Sequence, residues 1–301
     1  MFKNKIKKLI NHLLSRFDLE IIGSKKSKPF NLINKDTNAL AAYYLAGQKE
    51  IIINIDMSQG RTNQWFDLSD KSLDPNIFAI RNAIKKNLIK DDLYNEILST
   101  LLEKKSLVSY NNAAEFLDID NDVDENISHY PWWAEVNPWD NTSFDEQVKY
   151  YPEEVKKNRE KNGMTFTTND PNEIINQGVE DSVRSHAMQY AKLTEKIKKN
   201  GFKHGGNYGY ITAEIFIKKN EMRWKPGREG NHRTAIVAAL GYKSIPVLIN
   251  KIIKLDDLEY WPNVMRGTFS ANQAKQIFNS VFDAKPSKIY HKWIEKMKSY
   301  V

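Results

Sequence analysis

In the middle of the chain the apolar positions recur every three or four residues. Val179, Val183, Ala187, Tyr190, Leu193, Thr194 and Ile197 fall on one face, and Asn200-Gly201 supplies a stop, which predicts a helix over 178–200. The period then shortens to two. Ala213 to Lys218 (AEIFIK) alternates as a strand does, Lys219-Asn220-Glu221 turns the chain, and Met222–Trp224 is the expected return strand. A glycine-flanked polar loop follows over 226–234. A helix begins at once, with Ile236, Val237 and Leu240 as its apolar positions and Gly241 as its C-terminal stop. Ile245 to Ile249 then reads as a buried strand.

Upstream, Glu50–Asp56 (EIIINID) has the isoleucine content of a strand. Gln59-Gly60 is a turn signal, and the segment around Trp65 and Phe66 is the expected partner strand. Residues 76–117 read as helices with short polar joints, 37–47 as a short helix and 24–36 as a linker. Trp132, Trp133 and Trp139 lie close together with Pro131 and Pro138, so no continuous helix is expected until 152–162, where Pro152 suits a first turn. Rings of this size seek burial, and two readings stay open: a strap packed across the body, and the wall of a pocket. Near the C-terminus Ser270 caps a helix carrying Ala274, Ile277, Phe278 and Phe282, and 285–300 form a last helix with Trp293. At the N-terminus Phe2, Ile6, Leu9, Ile10, Leu13, Leu14 and Phe17 oppose a lysine face. That helix over 2–17 either packs on its own protein or rests on a membrane surface. The opening also resembles the N-termini of some bacterial glycan-modifying enzymes.

Composition narrows the chemistry. The 301 residues include no cysteine, which excludes disulfides, cysteine nucleophiles and thiolate metal sites. No apolar run is long enough to span a membrane, and the lysine-rich start lacks a signal-peptide core. The expected location is cytoplasmic, with peripheral contact at the inner membrane face through 2–17. The net charge is +7, yet residues 1–28 carry eight Lys or Arg against two acids, and 115–154 carry twelve acids and one Lys. Broad nucleic-acid binding is therefore not expected. The acidic run 118–124 lacks the glycine and glutamate of a calcium loop, and no His/Asp/Glu spacing suggests zinc, so no metal ligands are assigned.

The loop over 226–234, just before the helix carrying Ile236, holds the strongest chemical signal: Glu229-Gly230-Asn231-His232-Arg233-Thr234. Backbone N–H groups at a helix start point outward without partners, and Gly230 lets an anion approach them closely. His232 and Arg233 add donors. Glu229 is placed to orient Arg233, to hold a nucleotide-bound metal or to act as a base. The competing reading is a structural turn in which Arg233 is paired internally. Four residues apart on one helix face, Glu180 and Arg184 read either as a surface pair or as cleft residues.

The string EGNHRTAIVAALGYKSIPVLI, with KLTEKIKKNGF and IFIKKNEMRW before it, resembles the core of the ParB/sulfiredoxin-like superfamily over about residues 178–253. That implies an α+β (mixed α/β) fold: a ParB/sulfiredoxin-like core with helical extensions at both ends. The expected divisions are 1–28, a basic helix and linker; 29–128, mainly helical; 129–254, the core with its Trp-rich leading segment; and 255–301, a helical tail. The resemblance implies nucleotide-phosphate contacts at Gly230, Asn231, His232, Arg233 and Thr234, with Arg184 nearby, and catalytic roles for Glu229, Glu180 and His232. Asn231 stands where sulfiredoxins need cysteine, so sulfinic-acid reduction is not expected. The 48 residues after Ile253 leave no room for the helix-turn-helix and dimer domain of partitioning proteins. The expected function is a nucleotide-dependent phosphotransferase using ATP or another nucleotide with Mg2+ on a small-molecule or glycan hydroxyl. The alternatives are a non-catalytic nucleotide- or nucleic-acid-binding module, and a ParB-like nuclease of a phage or mobile element.

Overall fold

The computed structural model describes Phe30, Asn31, Ile33 and residues 50–119, 125–161, 165–166, 168–176, 179–227 and 229–300. The helices expected over 2–17 and 37–47 lie outside these residues, as do Arg228 and most of the acidic run. Five strands form one mixed sheet: β1 (Phe30–Asn31), β2 (Ile51–Asp56), β3 (Ile211–Lys218), β4 (Glu221–Pro226) and β5 (Ser244–Lys254), in the order β1-β2-β5-β3-β4. β5 is central. It runs antiparallel to β2, with Ile53 opposite Val247, and parallel to β3, with Ala213 opposite Ile249. β3 and β4 form the hairpin the alternation predicts, turning at Lys219 in a left-handed conformation. The two-residue β1 lies inside the segment expected to be linker and pairs parallel with β2.

The helices follow in chain order. α1 (Pro75–Lys85), α2 (Lys90–Leu107), α3 (Ala113–Phe116) and α4 (Glu125–Ser128) precede the Trp-rich segment. After it come α5 (Phe144–Glu160), α6 (Pro171–Asn176), α7 (Val179–Asn200) and α8 (Asn231–Ala239), then α9 (Pro262–Met265), α10 (Ala271–Phe282) and α11 (His291–Lys298). The architecture is α+β. Among the described residues no helix is long and apolar enough to cross a membrane.

The sheet divides two cores. Ile51, Ile53 and Ile55 of β2 face α1, α2, α7 and α8 together with Ile215, Val247 and Ile236. The opposite face holds Phe216 and Ile253 against Trp139, Trp261 and Phe278. A bulge on β5 sets this second face. The register with β3 shifts between Ala213 and Glu214, leaving Asn250 unopposed. An extra residue reverses the alternation, so Ile252 packs with the first core while Lys251 and Ile253 turn to the second. There Lys251 Nζ donates to the carbonyl of Trp139 and lies 3.4 Å from Asp140 Oδ1.

The Trp-rich segment takes both roles left open for it. Trp139 is fully buried, edge-on to Phe216 at 5.2 Å and to Trp261 at 5.4 Å, while Trp132 stays half-buried at a cavity wall. Asn263, with no exposed surface, holds the segment in place. Its Nδ2 lies 3.0, 2.9 and 3.0 Å from the carbonyls of Asn137, Asp140 and Thr142, and its backbone N–H donates to Pro138.

Two expectations from the pattern need correction. The segment around Trp65 is not a strand: Trp65 has φ 68°, Thr62 and Phe66 close a turn, and β2 pairs with β1 and β5 instead. Arg61 takes this segment away from the sheet by donating Nε and Nη2 to the Phe282 carbonyl at 3.0 and 2.9 Å. Likewise the helix expected at 152–162 begins at Phe144 and passes through Pro152. Ser143 and Glu146 cap it reciprocally, and this start is strong enough that one missing hydrogen bond at the proline does not end the helix.

Candidate functional site: a polar cleft at the start of helix α8

Gly230 is the N-cap of α8 and has φ +102°. A Cβ there would stand 2.8 Å from Ile211 Cγ1 and 3.0 Å from Ile211 Cα, so only glycine lets the helix start this close to β3. No side chain caps α8. Its first-turn N–H groups are left for whatever enters the cleft beside them.

A cavity of about 390 Å³ opens on this turn, bordered by Asn231, His232 and Thr234 of α8 and by His186 and Tyr190 of α7. The far wall comes from earlier in the chain: Asn63 and Gln64, Asp74 and Asn76 at the start of α1, and Lys104 of α2. Gln64 and Lys104 also border two neighbouring cavities. One, of about 470 Å³, reaches Tyr110, Trp132 and Tyr290; the other, of about 230 Å³, reaches Glu135 and Tyr151. Lys104 therefore stands where three cavities meet.

The polar groups here are incompletely satisfied. Asp74 is 1% exposed. Its Oδ1 caps α1 by accepting from Asn76 N at 2.9 Å and Ile77 N at 3.2 Å, while Oδ2 has no hydrogen bond of normal geometry. Burial raises its pKa, opposed by those amides, the Thr62 hydroxyl and the charge of Lys104. Asn231 Oδ1 and Asn63 Oδ1 are also buried without partners. Buried polar atoms are rarely left unpaired, and the two amide oxygens beside this cavity would be satisfied by a polar occupant or water. Lys104 has no hydrogen bond or ion pair among the described residues; its Nζ lies 5.9 Å from the Tyr290 ring centroid. Burial lowers its pKa, opposed by Asp74. His232 lies 4.8 Å from the Tyr190 ring and 5.2 Å from His186, and burial, reinforced by His186, brings its pKa down to about 4. It is neutral at pH 7, a hydrogen-bonding group and not a cation.

The structure sorts the sequence candidates. Asn231, His232 and Thr234 border the cleft and Gly230 starts the helix beside it, while the buried Thr234 hydroxyl donates to the Gly230 carbonyl at 3.0 Å. Arg233 does not. Its Nη1 donates to the carbonyls of Tyr208 (2.7 Å) and Gly209 (3.2 Å), and its Nη2 to Tyr210 (3.0 Å), so the guanidinium pins the loop before β3. Arg233→Ala is expected to cost about 2 kcal/mol and to speed amide hydrogen exchange in 205–210. Nucleotide response should persist in the folded fraction. Equal loss of ligand response and no change in exchange would return Arg233 to the phosphate.

Glu229 points to solvent, and its carbonyl accepts from Thr212 N and Oγ1, both at 3.3 Å. Glu180 is on the surface, 3.0 Å from Arg184, and lines none of these cavities; Arg184 reaches only an outer rim beside His186. Exposed pairs of this kind contribute little. Glu180→Ala should leave the melting temperature and any catalytic rate unchanged, measured side by side with wild type.

Asp74, Lys104, Asn63 and Glu135 are absent from the sequence reading. Asp74-Pro75 signals a helix start and nothing more, and a lysine late in an amphipathic helix is ordinary. Asn158 and Arg159 border the outer rim, where Arg159 Nη1 donates to the Ile174 carbonyl at 2.8 Å. Among the described residues no group of three or more His, Asp or Glu forms a metal site. Comparison with family models, with curated proteins and with solved structures finds no match to this chain.

Proposed function

We propose that the cleft binds the phosphates of a nucleotide and that the protein is a nucleotide-dependent phosphotransferase acting on a hydroxyl. The observation that carries this reading is the uncapped start of α8, opening into the same cavity as Lys104, a cation with no acceptor among the described residues. Helix-start N–H groups and a lysine are the two donor types that hold phosphate most readily. Leu101, Val108, Val179 and Val183 line the adjoining cavity with apolar surface suited to a base. The resemblance of the EGNHRT turn to the ParB/sulfiredoxin-like superfamily points the same way, with Lys104 in the place expected of Arg233.

A magnesium ion that travels with a nucleotide needs only one or two carboxylates besides the phosphates. Asp74, with its unpartnered Oδ2, fits that need, and a bound cation would hold it ionised. Phosphoryl transfer asks the protein mainly for positioning and charge neutralisation. The α8 amides and Lys104 neutralise, and Asn63, Asn76 and Asn231 orient. The basic amphipathic sequence over 2–17 would add peripheral membrane contact if the acceptor is membrane-linked.

The test is thermal shift with ATP, CTP, GTP and ADP, each with and without magnesium. A bound nucleotide raises the melting temperature by mass action. A rise with one nucleotide, followed by transfer of its terminal phosphate, is the expected result; no rise with any of the four would overturn the reading.

A further inference from the structure

We infer that the Glu135 cavity is the acceptor subsite, that it takes a sugar, and that Glu135 is the base that activates the sugar hydroxyl. This rests on the phosphotransferase reading for the donor side only. The cavity of about 230 Å³ shares Gln64 and Lys104 with the cavity at α8, so an acceptor in it lies next to the phosphate position. Its walls are of two kinds. Trp132 stands edge-on to Tyr110 at 4.9 Å, Tyr151 lies along Trp133 at 6.1 Å, and all four rings border the cavity. Glu135 and Gln147 supply hydrogen-bonding ends. A sugar has the matching surfaces: C–H faces that rest on rings, and a rim of hydroxyls that need polar partners. A flat base would use the rings and leave the carboxylate idle, and an aliphatic alcohol would use neither ring.

Glu135 is open to cleft water yet surrounded by protein, and this pushes its pKa up to about 7. Lys225 opposes the rise, Asp140 and Glu214 add to it, and Lys104, Tyr110 and Tyr151 line the same cavity. A carboxylate of that basicity suits proton removal near neutral pH. In the step, the sugar O–H gives its proton to Glu135 as its oxygen bonds to the terminal phosphorus. The bond from that phosphorus to the bridging oxygen breaks, and the nucleoside diphosphate leaves with the electron pair. Glu135 then releases the proton to water.

The experiment uses the full chain, ATP with magnesium, and D-glucose, D-mannose and N-acetylglucosamine as probes. Saturation-transfer NMR reads sugar binding without turnover, thermal shift reads nucleotide binding, and labelled terminal phosphate reads transfer. The expected results are saturation transfer to at least one sugar, lost in Gln147→Ala, with the nucleotide shift intact. Glu135→Gln should keep the nucleotide shift and lower transfer by roughly 100-fold or more, and the wild-type rise of rate through pH 7 should vanish. A nucleotide shift without saturation transfer to any sugar, or wild-type transfer by Glu135→Gln, overturns the inference and leaves the donor reading standing. Absence of the nucleotide shift with sugar binding present removes the donor reading, and with it the base role of Glu135, and leaves the sugar site.

Discussion

Lys104→Met is expected to abolish the nucleotide response while leaving the protein as stable as wild type, or more so. The lysine stem crosses apolar surface near Tyr290, which methionine can cover, and its ammonium sits half-buried with no hydrogen-bond acceptor among the described residues. Its pKa is lowered by burial, so the charged form is disfavoured in the folded state relative to the unfolded chain. That cost is present while the lysine is charged and is lost as pH rises through the folded-state pKa, and removing the charge removes it. Asp74 loses a favourable neighbour but keeps the Asn76 and Ile77 amides that also oppose the rise of its pKa. Nucleotide affinity should fall roughly 100-fold, about 2.7 kcal/mol, for a lost charge-assisted phosphate contact. Calorimetric titration together with a melting curve separates the two effects. A variant that melts far lower and still binds nucleotide would assign Lys104 to the scaffold.

Gly230→Ala should be the most damaging small substitution at the site. Two costs combine. The left-handed backbone at φ +102° strains any residue with a Cβ, and that Cβ would press on Ile211 Cα, a backbone atom of a central-sheet strand that cannot swing aside. Together these amount to about 3 kcal/mol. Gly201→Ala is the control, since its φ is +71° but nothing lies within 4 Å of the new Cβ. It should lose only about 1 kcal/mol, the conformational part. The difference between the two in denaturant unfolding isolates the contact with β3. If helix α8 relieves the strain by moving off the strand, its free amides move too, and phosphate binding falls along with stability. Equal stability losses in the two variants would mean that the contact with Ile211 is soft.

The hairpin, α7, α8 and β5 are legible in the chain because punctuation agrees with period. Asn200-Gly201, Lys219-Asn220 and Gly241 stand where the structure ends its elements. The turn at Gly230 is legible for the same reason. What escapes is whatever depends on distant partners. Trp65 looks like a strand residue until Arg61 is seen reaching the Phe282 carbonyl across the fold. Pro152 looks like a helix start, because its exception depends on how well the preceding turns are capped. Arg233 looks like a phosphate ligand, since no local pattern shows three carbonyls waiting for it. Lys104, Asp74 and Glu135 come from three separate segments and acquire a shared role only through packing.

Asn263 has a consequence for how the molecule is divided. It lies beyond residue 254, where a core resembling a known superfamily would be expected to stop, yet it fastens the Trp-rich segment from inside. Tyr290, later still, forms part of two cavity walls. A fragment cut at 254 would lose both the rivet and the wall, exposing Trp139 and leaving three carbonyls without their donor. The smallest autonomous folding unit therefore extends at least through Tyr290, and an expression library trimmed to the recognisable motif would return aggregates instead of a folded protein.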